Sequence, residues 1–417
     1  MRLTAAIGLS FILGGCGNVV VEATTGGGAG GSTSTPTTST SAAGGAGTVG
    51  SGGGDFPVGG AGGGGGCPPG APDVDADGDG YSPLQGDCNE CDPLIGPGSA
   101  EGPTPDPDGP GGGDPPVDED CDGLFDEPPD VCDEGLALDA TDPIDAVRAI
   151  DLCGFVSECA PFGVLSASWQ RPDGQPPPAG QIEAFRRGHG ILTDLGANAP
   201  AQVGARLLAL SNGTARPPSH PEYEVYYDKG YSSQYPPGMP IEGPCPDVTT
   251  GPPFDGITLE VQLSPPANAL GLAYRYRFYT RGWPKDVCSP YNDQFVALMS
   301  PAPAGAWNGN IAFDDFGNPL TLSYLTPEAC WCGPGQCPDS PPCATEAAQL
   351  AGSGFDAAYG AATKWLKTTA PVDHDAESFT LRFTIFDAED GLVDSTVLID
   401  GFEWIVEQQI NTTNEGP

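Results

Sequence analysis

Carboxylates stand at every second position in two short runs of this chain, DVDADGDGY and DEDCDGL, at the two ends of segment 73–127. A stretch this polar cannot bury enough apolar surface to fold alone, so its order has to come from something that gathers its charges. Asp75, Asp77, Asp79, Gly80 and Tyr81 align with Asp118, Asp120, Asp122, Gly123 and Leu124. Glycine follows the third acid in both, where a sharp turn is needed.

A hard cation fits this pattern. Calcium takes six to eight oxygens at roughly 2.3–2.6 Å, and alternate Asp residues on a turning loop converge on one point. With oxygens at positions 1, 3 and 5, glycine at 6 and a backbone carbonyl at 7, each run makes the first half of an EF-hand-type loop. The second half departs from it. Position 12, a bidentate Glu in the EF-hand, is Gly86 in one run and Pro129 in the other, with Asp87 and Asp130 one place later. The shared offset marks a variant loop rather than decay. The ligands expected are Asp73, Asp75, Asp77, Asp79, Tyr81 and Asp87 in the first loop. In the second they are Asp118, Asp120, Asp122, Leu124, Asp126 and Asp130. The bland alternative, an acidic linker, has no reason to repeat Gly and Asp in one register.

This segment resembles the metal-binding repeat DxDGDGY…GDCxxxDP…DxDCDGxxDE of bacterial surface proteins and is similar to thrombospondin type-3 calcium repeats. The resemblance implies a disulfide between Cys88 and Cys121. Part of that family resembles a surface protein associated with copper, which prefers imidazole and sulfur. The segment holds no His and no Met, so structural calcium is the expected cofactor.

Residues 1–16, MRLTAAIGLSFILGGC, carry one positive charge at Arg2 and an apolar core too short to span a bilayer. Their end resembles a bacterial lipoprotein lipobox. That implies a signal peptide over 1–15, lipidation of Cys16 and, with Gly17 next, a place in the outer membrane of a Gram-negative cell. Durable anchoring would follow from the acyl chains. Residues 16–66 are a Gly/Ser/Thr-rich flexible tether. The acidic Cys-containing calcium module is assigned to 67–135, a β domain to 136–410 and a disordered tail to 411–417.

Charge bounds the partners. The chain has 56 acidic and 15 basic residues, a formal net charge of −41, and no Lys or Arg between Arg2 and Arg148. Nucleic acid is excluded as a partner; the membrane is reached through the lipid anchor. Fourteen cysteines in an exported chain imply disulfides. Lipidation of Cys16 leaves an odd number. Cys132, Cys153 and Cys159 are expected to pair among themselves. Cys330, Cys332, Cys337 and Cys343 match no zinc spacing and read as part of a disulfide knot.

From 142 to 153 the pattern predicts one short helix, capped by Asp142, with Pro143 in its first turn and Ile144, Val147 and Ile150 on one face. Beyond Pro161 apolar residues alternate with polar ones over 257–263, 272–278 and 379–385. Further strand-like runs are 164–169, 203–210, 294–299, 320–325 and 395–405. The fold class is mainly β: an antiparallel sandwich with long loops and one short helix. Insertions 211–253 and 326–370 are expected over its surface, with a minor helix at 345–351.

Blocks of this domain resemble the choice-of-anchor L domain of secreted bacterial surface proteins: GHGILT at 188–193, YRYRFY at 274–279, SPYNDQF at 289–295, and LRFTIF at 381–386 with the acids that follow. The family's Glu-Glu-Tyr after the second block is replaced here by Thr280-Arg281-Gly282-Trp283. The resemblance implies a surface-presented module without an assigned activity.

The β domain offers Asn292-Asp293 and, as a second metal site, Asp387, Asp390 and Asp394, whose carboxylates follow a strand. Catalysis has weaker support. Of three His residues, His189, His220 and His374, none sits in HExxH, and no GxSxG elbow or Walker loop occurs. His189 in its GHG turn reads as structural. Trp283, Trp307 and Trp331 suit either the core or a carbohydrate surface. The reading is a surface lipoprotein presenting a sandwich for adhesion or binding of an extracellular ligand or matrix component, not an enzyme. The alternatives are a secreted glycan-active enzyme and a copper-capture protein.

Overall fold

The computed structural model describes residues 71–102, 116–125, 131–157, 160–331, 347–357, 359–406 and the backbone of 413–415. The signal at 1–15, Cys16, the tether at 16–66, Asp126, Asp130, Cys159, Cys332, Cys337 and Cys343 lie outside the described residues.

In chain order the elements are helix α1 (Pro143–Arg148), strand β1 (Gly163–Gln170), helix α2 (Ile182–Arg186), and strands β2 (His189–Leu192) and β3 (Leu207–Ser211). There follow β4 (Pro253–Ser264), β5 (Gly271–Thr280), β6 (Gln294–Ser300), β7 (Ala329–Cys330), β8 (Ala361–Ala362), β9 (Leu366–Pro371), β10 (Phe379–Ala388), β11 (Ser395–Ile405) and β12 (Thr413–Glu415). Pro83–Gln85 and Ala347–Leu350 are single 3₁₀ turns. All the strands pair antiparallel. One sheet runs β1-β4-β10-β6, the other β12-β9-β5-β11-β3-β2 with β7 and β8 attached beside β5. The mainly β class read from the period-two runs is the class observed.

The alternation builds the core directly. Ile257, Leu259, Val261 and Leu263 of β4 and Leu381, Phe383 and Ile385 of β10 face inward. They meet Leu272, Tyr274, Tyr276 and Phe278 of β5 and Val397 and Ile399 of β11 in one continuous cluster. Tyr274 meets Phe383 edge-on across it, ring centroids 5.1 Å apart. Register also sets the outer pairs: Arg382 stands opposite Glu260, and the two form an ion pair. The far face of the larger sheet is covered as well. Leu207, Ala209, Tyr279 and Leu398 pack there with Leu195, Phe355 and Trp365 from the loops.

Helix α1 starts where the sequence predicts but is shorter than the expected 142–153, ending at Arg148 with turns after it. Asp142 accepts from Ile144 N at 3.0 Å, Pro143 opens the helix, and Val147 and Ile150 are buried. Cys132 and Cys153 close a disulfide around it.

Five other expectations are corrected. Residues 320–325 form no strand: Tyr324 N and Leu325 N turn back to Thr321 O and Leu322 O. Segment 326–370 is not only surface insertion, since β7, β8 and most of β9 come from it. The helix expected at 345–351 is one 3₁₀ turn. A second short helix, α2, exists beside α1. Finally, β12 pairs with β9, so the tail 411–417 is in part a strand.

Candidate metal centre

The two acidic runs adopt one backbone conformation. In the first, Asp75 accepts from Gly78 N at 2.6 Å and Gly80 N at 3.0 Å. Asp77 accepts from Asp79 N at 3.2 Å and Asp79 from Tyr81 N at 2.7 Å. In the second, Asp118 accepts from Gly123 N at 3.1 Å, Asp120 from Asp122 N at 3.0 Å and Asp122 from Leu124 N at 2.7 Å. The left-handed turns match too: φ is 89° at Gly78 and 98° at Gly80, against 62° at Cys121 and 95° at Gly123.

Each loop brings carboxylates together. One oxygen from each of Asp75, Asp77 and Asp79 lies within 4.8 Å of the others, and the same holds for Glu101, Asp118 and Asp120. That spacing is about twice a calcium–oxygen distance. Asp87 is 6% exposed, and burial pushes its carboxyl up to about 6, helped by the charges of Asp79, Glu90 and Asp77. Asp79 is raised by burial as well, then by Asp77 and Asp75, although the Tyr81 N–H favours its charged form. Asp77 Oδ2, Asp87 Oδ2 and Asp118 Oδ1 are sealed from solvent yet make no hydrogen bond. An all-oxygen donor set with orphaned buried acceptors fits a hard cation such as calcium.

The expected ligands thus sort themselves. Asp75, Asp77 and Asp79 converge, with Asp87 beside them. Asp73 is exposed and outside this group. Asp118 and Asp120 converge with Glu101, which the sequence reading missed. Asp122 and Leu124 are exposed at the second turn. Tyr81 is half-buried, its ring against Gly98.

The loops are stapled to each other and to the β domain. Cys88 and Cys121 form the disulfide implied by the resemblance, Cα atoms 5.6 Å apart. Gly96 N donates to Glu119 O at 2.8 Å. Ala100 exchanges two hydrogen bonds with the Asn268 side chain, at 2.9 and 2.7 Å, and Ala267 N donates to Gly98 O at 2.9 Å. The segment is therefore docked on the β4–β5 turn. Cys245–Cys288 is a third disulfide, and Cys91 and Cys330 are disulfide-bonded as well.

The acids of the β domain do not make a second loop of this kind. Asp387 is buried beside Asp293; burial and the Asp293 charge raise it well above the usual carboxylate range. Asp293, pushed up by burial to about 7, accepts from Ser395 Oγ at 2.6 Å and Asn212 Nδ2 at 3.1 Å. Burial side by side disfavours charge on both carboxyls of the pair. Asp394 accepts from Tyr226 N at 2.7 Å and Tyr227 N at 3.2 Å, and Asp390 from Leu392 N at 3.0 Å. Among the described residues Asp387, Asp390 and Asp394 form no converging trio. Nearby, Lys229 is fully enclosed and donates to Ser211 O at 2.6 Å and Asp255 O at 2.7 Å. Asn292 is spent on structure, accepting from Ser323 N at 2.8 Å.

His189 lies on β2 rather than in a turn, stacked on Trp169 with ring centroids 4.1 Å apart. Burial, then Arg216 and Lys229, lower its pKa to about 3, so it stays neutral. Trp283 is buried, Trp331 packs on the outer cluster, and Trp307 is exposed.

No protein-family model, no curated protein and no solved structure matches the chain.

Proposed function

We propose that the two acidic loops are structural calcium sites in an exported, surface-held protein that presents its β-sandwich to an extracellular ligand. The observation that carries this reading is one backbone conformation occurring twice, each time with three carboxylates gathered to a point. Calcium would order a segment too polar to fold by itself and fix its place on the β4–β5 turn. The oxygen-only donor set favours calcium over copper.

Export is supported by the apolar leader ending in Cys16 and by the disulfides. A lipid anchor at Cys16 and the tether after it would hold the domain away from an outer membrane. The choice-of-anchor L resemblance, with no HExxH, GxSxG or Walker motif in the sequence, favours adhesion or ligand binding over catalysis.

Calorimetric titration of the chelated full-length chain with calcium tests the loop sites. Asp77→Asn and Asp118→Asn are each expected to remove one equivalent of bound calcium. At a calcium concentration about 100 times Kd, each site should add about 2.7 kcal/mol of stability. A double variant that binds as much calcium as the wild type would sink the reading.

A further inference from the structure

Where the second acidic loop meets the β domain, the two frame a cleft of about 270 Å³, close to the smallest ligand sites in size. Its β-domain wall is apolar: Leu152 after α1, Phe162 just before β1, and Trp404 of β11. The opposite wall carries the carboxylates Glu101, Asp120 and Asp122.

Both walls are held in place. Phe402 is buried, and its N–H donates to Ile150 O at 2.9 Å. The Trp404 ring lies at right angles to those of Phe402 and Phe379, with centroids 5.1 and 6.1 Å apart. Trp404 itself is only half-buried, so part of it stays open to the cleft. On the acidic side, the Cys88–Cys121 disulfide fixes the loop, and Glu119 N donates to Glu101 at 3.0 Å.

The lining chemistry selects the ligand. Five of the residues around the cleft are acidic and none is Lys, Arg or His. Glu403 among them is paired with Lys367 of β9 and adds little net charge. Among the lining side chains only the Trp404 indole offers an N–H donor. Anions and sugars need donors and find almost none. Ionised carboxylates only accept, so the matching head group is positive and only donates, as an ammonium does. The aromatic wall adds cation–π attraction and covers an apolar body. An inorganic ion has no use for Leu152 or Phe162. Calcium held by Glu101, Asp118 and Asp120 would leave that wall negative, since two charges do not neutralise three carboxylates, and Asp122 adds a fourth.

We propose that this cleft binds a small organic cation, a primary amine on a flat apolar body, with the amine at the Asp122 rim and the body on Trp404. This gives a chemical class to the extracellular ligand of the proposed function and rests on that reading only for where the ligand comes from. The amine sits beside the second calcium site and does not replace the ion. Calcium stoichiometry is read in its own titration, so either result can fail alone.

Calorimetry of the full-length chain in saturating calcium compares three probes of one shape: benzylamine, benzyl alcohol and benzoate. Benzylamine is expected to bind at least about tenfold tighter than the alcohol, and benzoate the weakest. Asp122→Asn keeps the acceptor for Leu124 N and removes the charge, so benzylamine affinity should fall about threefold. Gly154 supplies a blocking variant. It is exposed at the cleft wall, and a Cβ there would lie 3.9 Å from Gly163 Cα and 4.0 Å from Phe162 O, so a side chain can be added without moving the backbone. Gly154→Leu should abolish benzylamine binding. Equal affinity for amine and alcohol, or wild-type amine affinity in either variant, overturns the inference. Should Gly154→Leu not fold, wild-type crystals soaked in para-bromobenzylamine decide. A bromine anomalous peak against Trp404 supports the cleft; any other result overturns it.

Discussion

At position 96 a side chain has nowhere to go. A Cβ there would lie 2.4 Å from Asp79 Oδ2 and 4.0 Å from Asp87 Oδ1. Glycine lets the chain cross the first loop while its carboxylates stay gathered. Gly96→Ala is therefore expected to push Asp79 out of line with Asp75 and Asp77. Calcium affinity at the first loop should fall at least tenfold, about 1.4 kcal/mol, with the second loop unaffected. Calorimetry reads both; an unchanged first site would remove Asp79 from the ligand set. The spacing of Asp75, Asp77 and Asp79 was legible in the sequence because ligands on one turn are near in sequence and in space alike. Glu101 was not, because only the fold brings it to Asp118. Asp400 follows the apolar run Val397-Leu398-Ile399, and its buried carboxylate is taken up by the amides of Gly401, Val203 and Gln202, partners that only the fold supplies.

At the scale of elements, legibility followed side-chain contrast. Strands β4, β5 and β10 alternate large apolar with polar residues and were readable. Strand β9 also alternates, but its buried members Leu366, Thr368 and Ala370 are mostly small or polar, so the pattern vanished. Residues 320–325 touch the start of β6 through one bridge, Thr321 against Gln294, and then turn back on themselves before a strand can extend. Helix α1 has six residues, too few to persist unaided, so its packing and the Cys132–Cys153 bond must hold it. That bond spans a sequence separation of 21, and loop-closure entropy makes it worth about 3 kcal/mol. Cys132→Ser with Cys153→Ser is expected to lower the urea midpoint accordingly. An unchanged midpoint would assign the anchoring of α1 to Val147 and Ile150 alone.

Across the whole molecule, every described carboxylate with a displaced pKa is displaced upward, in a chain of net charge −41. Burial is the first cause for Asp255 and Asp394, raised to about 6, and for Asp293, raised to about 7. A carboxyl raised on folding contributes stability that is full below its unfolded pKa, about 3.9, and is lost as pH rises through the folded value. The chelated protein should therefore melt several degrees higher at pH 5.5 than at pH 7.5. His189 opposes this. Its pKa falls to about 3 on folding, so its share is present above pH 6.5 and lost as pH drops, about 1.4 kcal/mol by pH 5.5. One histidine set against several acids leaves the net sign unchanged. Calcium changes the outcome, because the ion takes its ligands ionised and competes with protons for them. The gap in Tm between calcium-loaded and chelated protein should be widest at pH 7.5 and should shrink toward pH 5.5. Thermal scans at both pH values, with calcium and with chelator, read this directly. Repeating them at about 0.5 M sodium chloride separates the causes, since salt screens diffuse repulsion among surface acids. A gap that disappears in salt would be general charge relief; a gap that survives belongs to ions seated in the carboxylate sites.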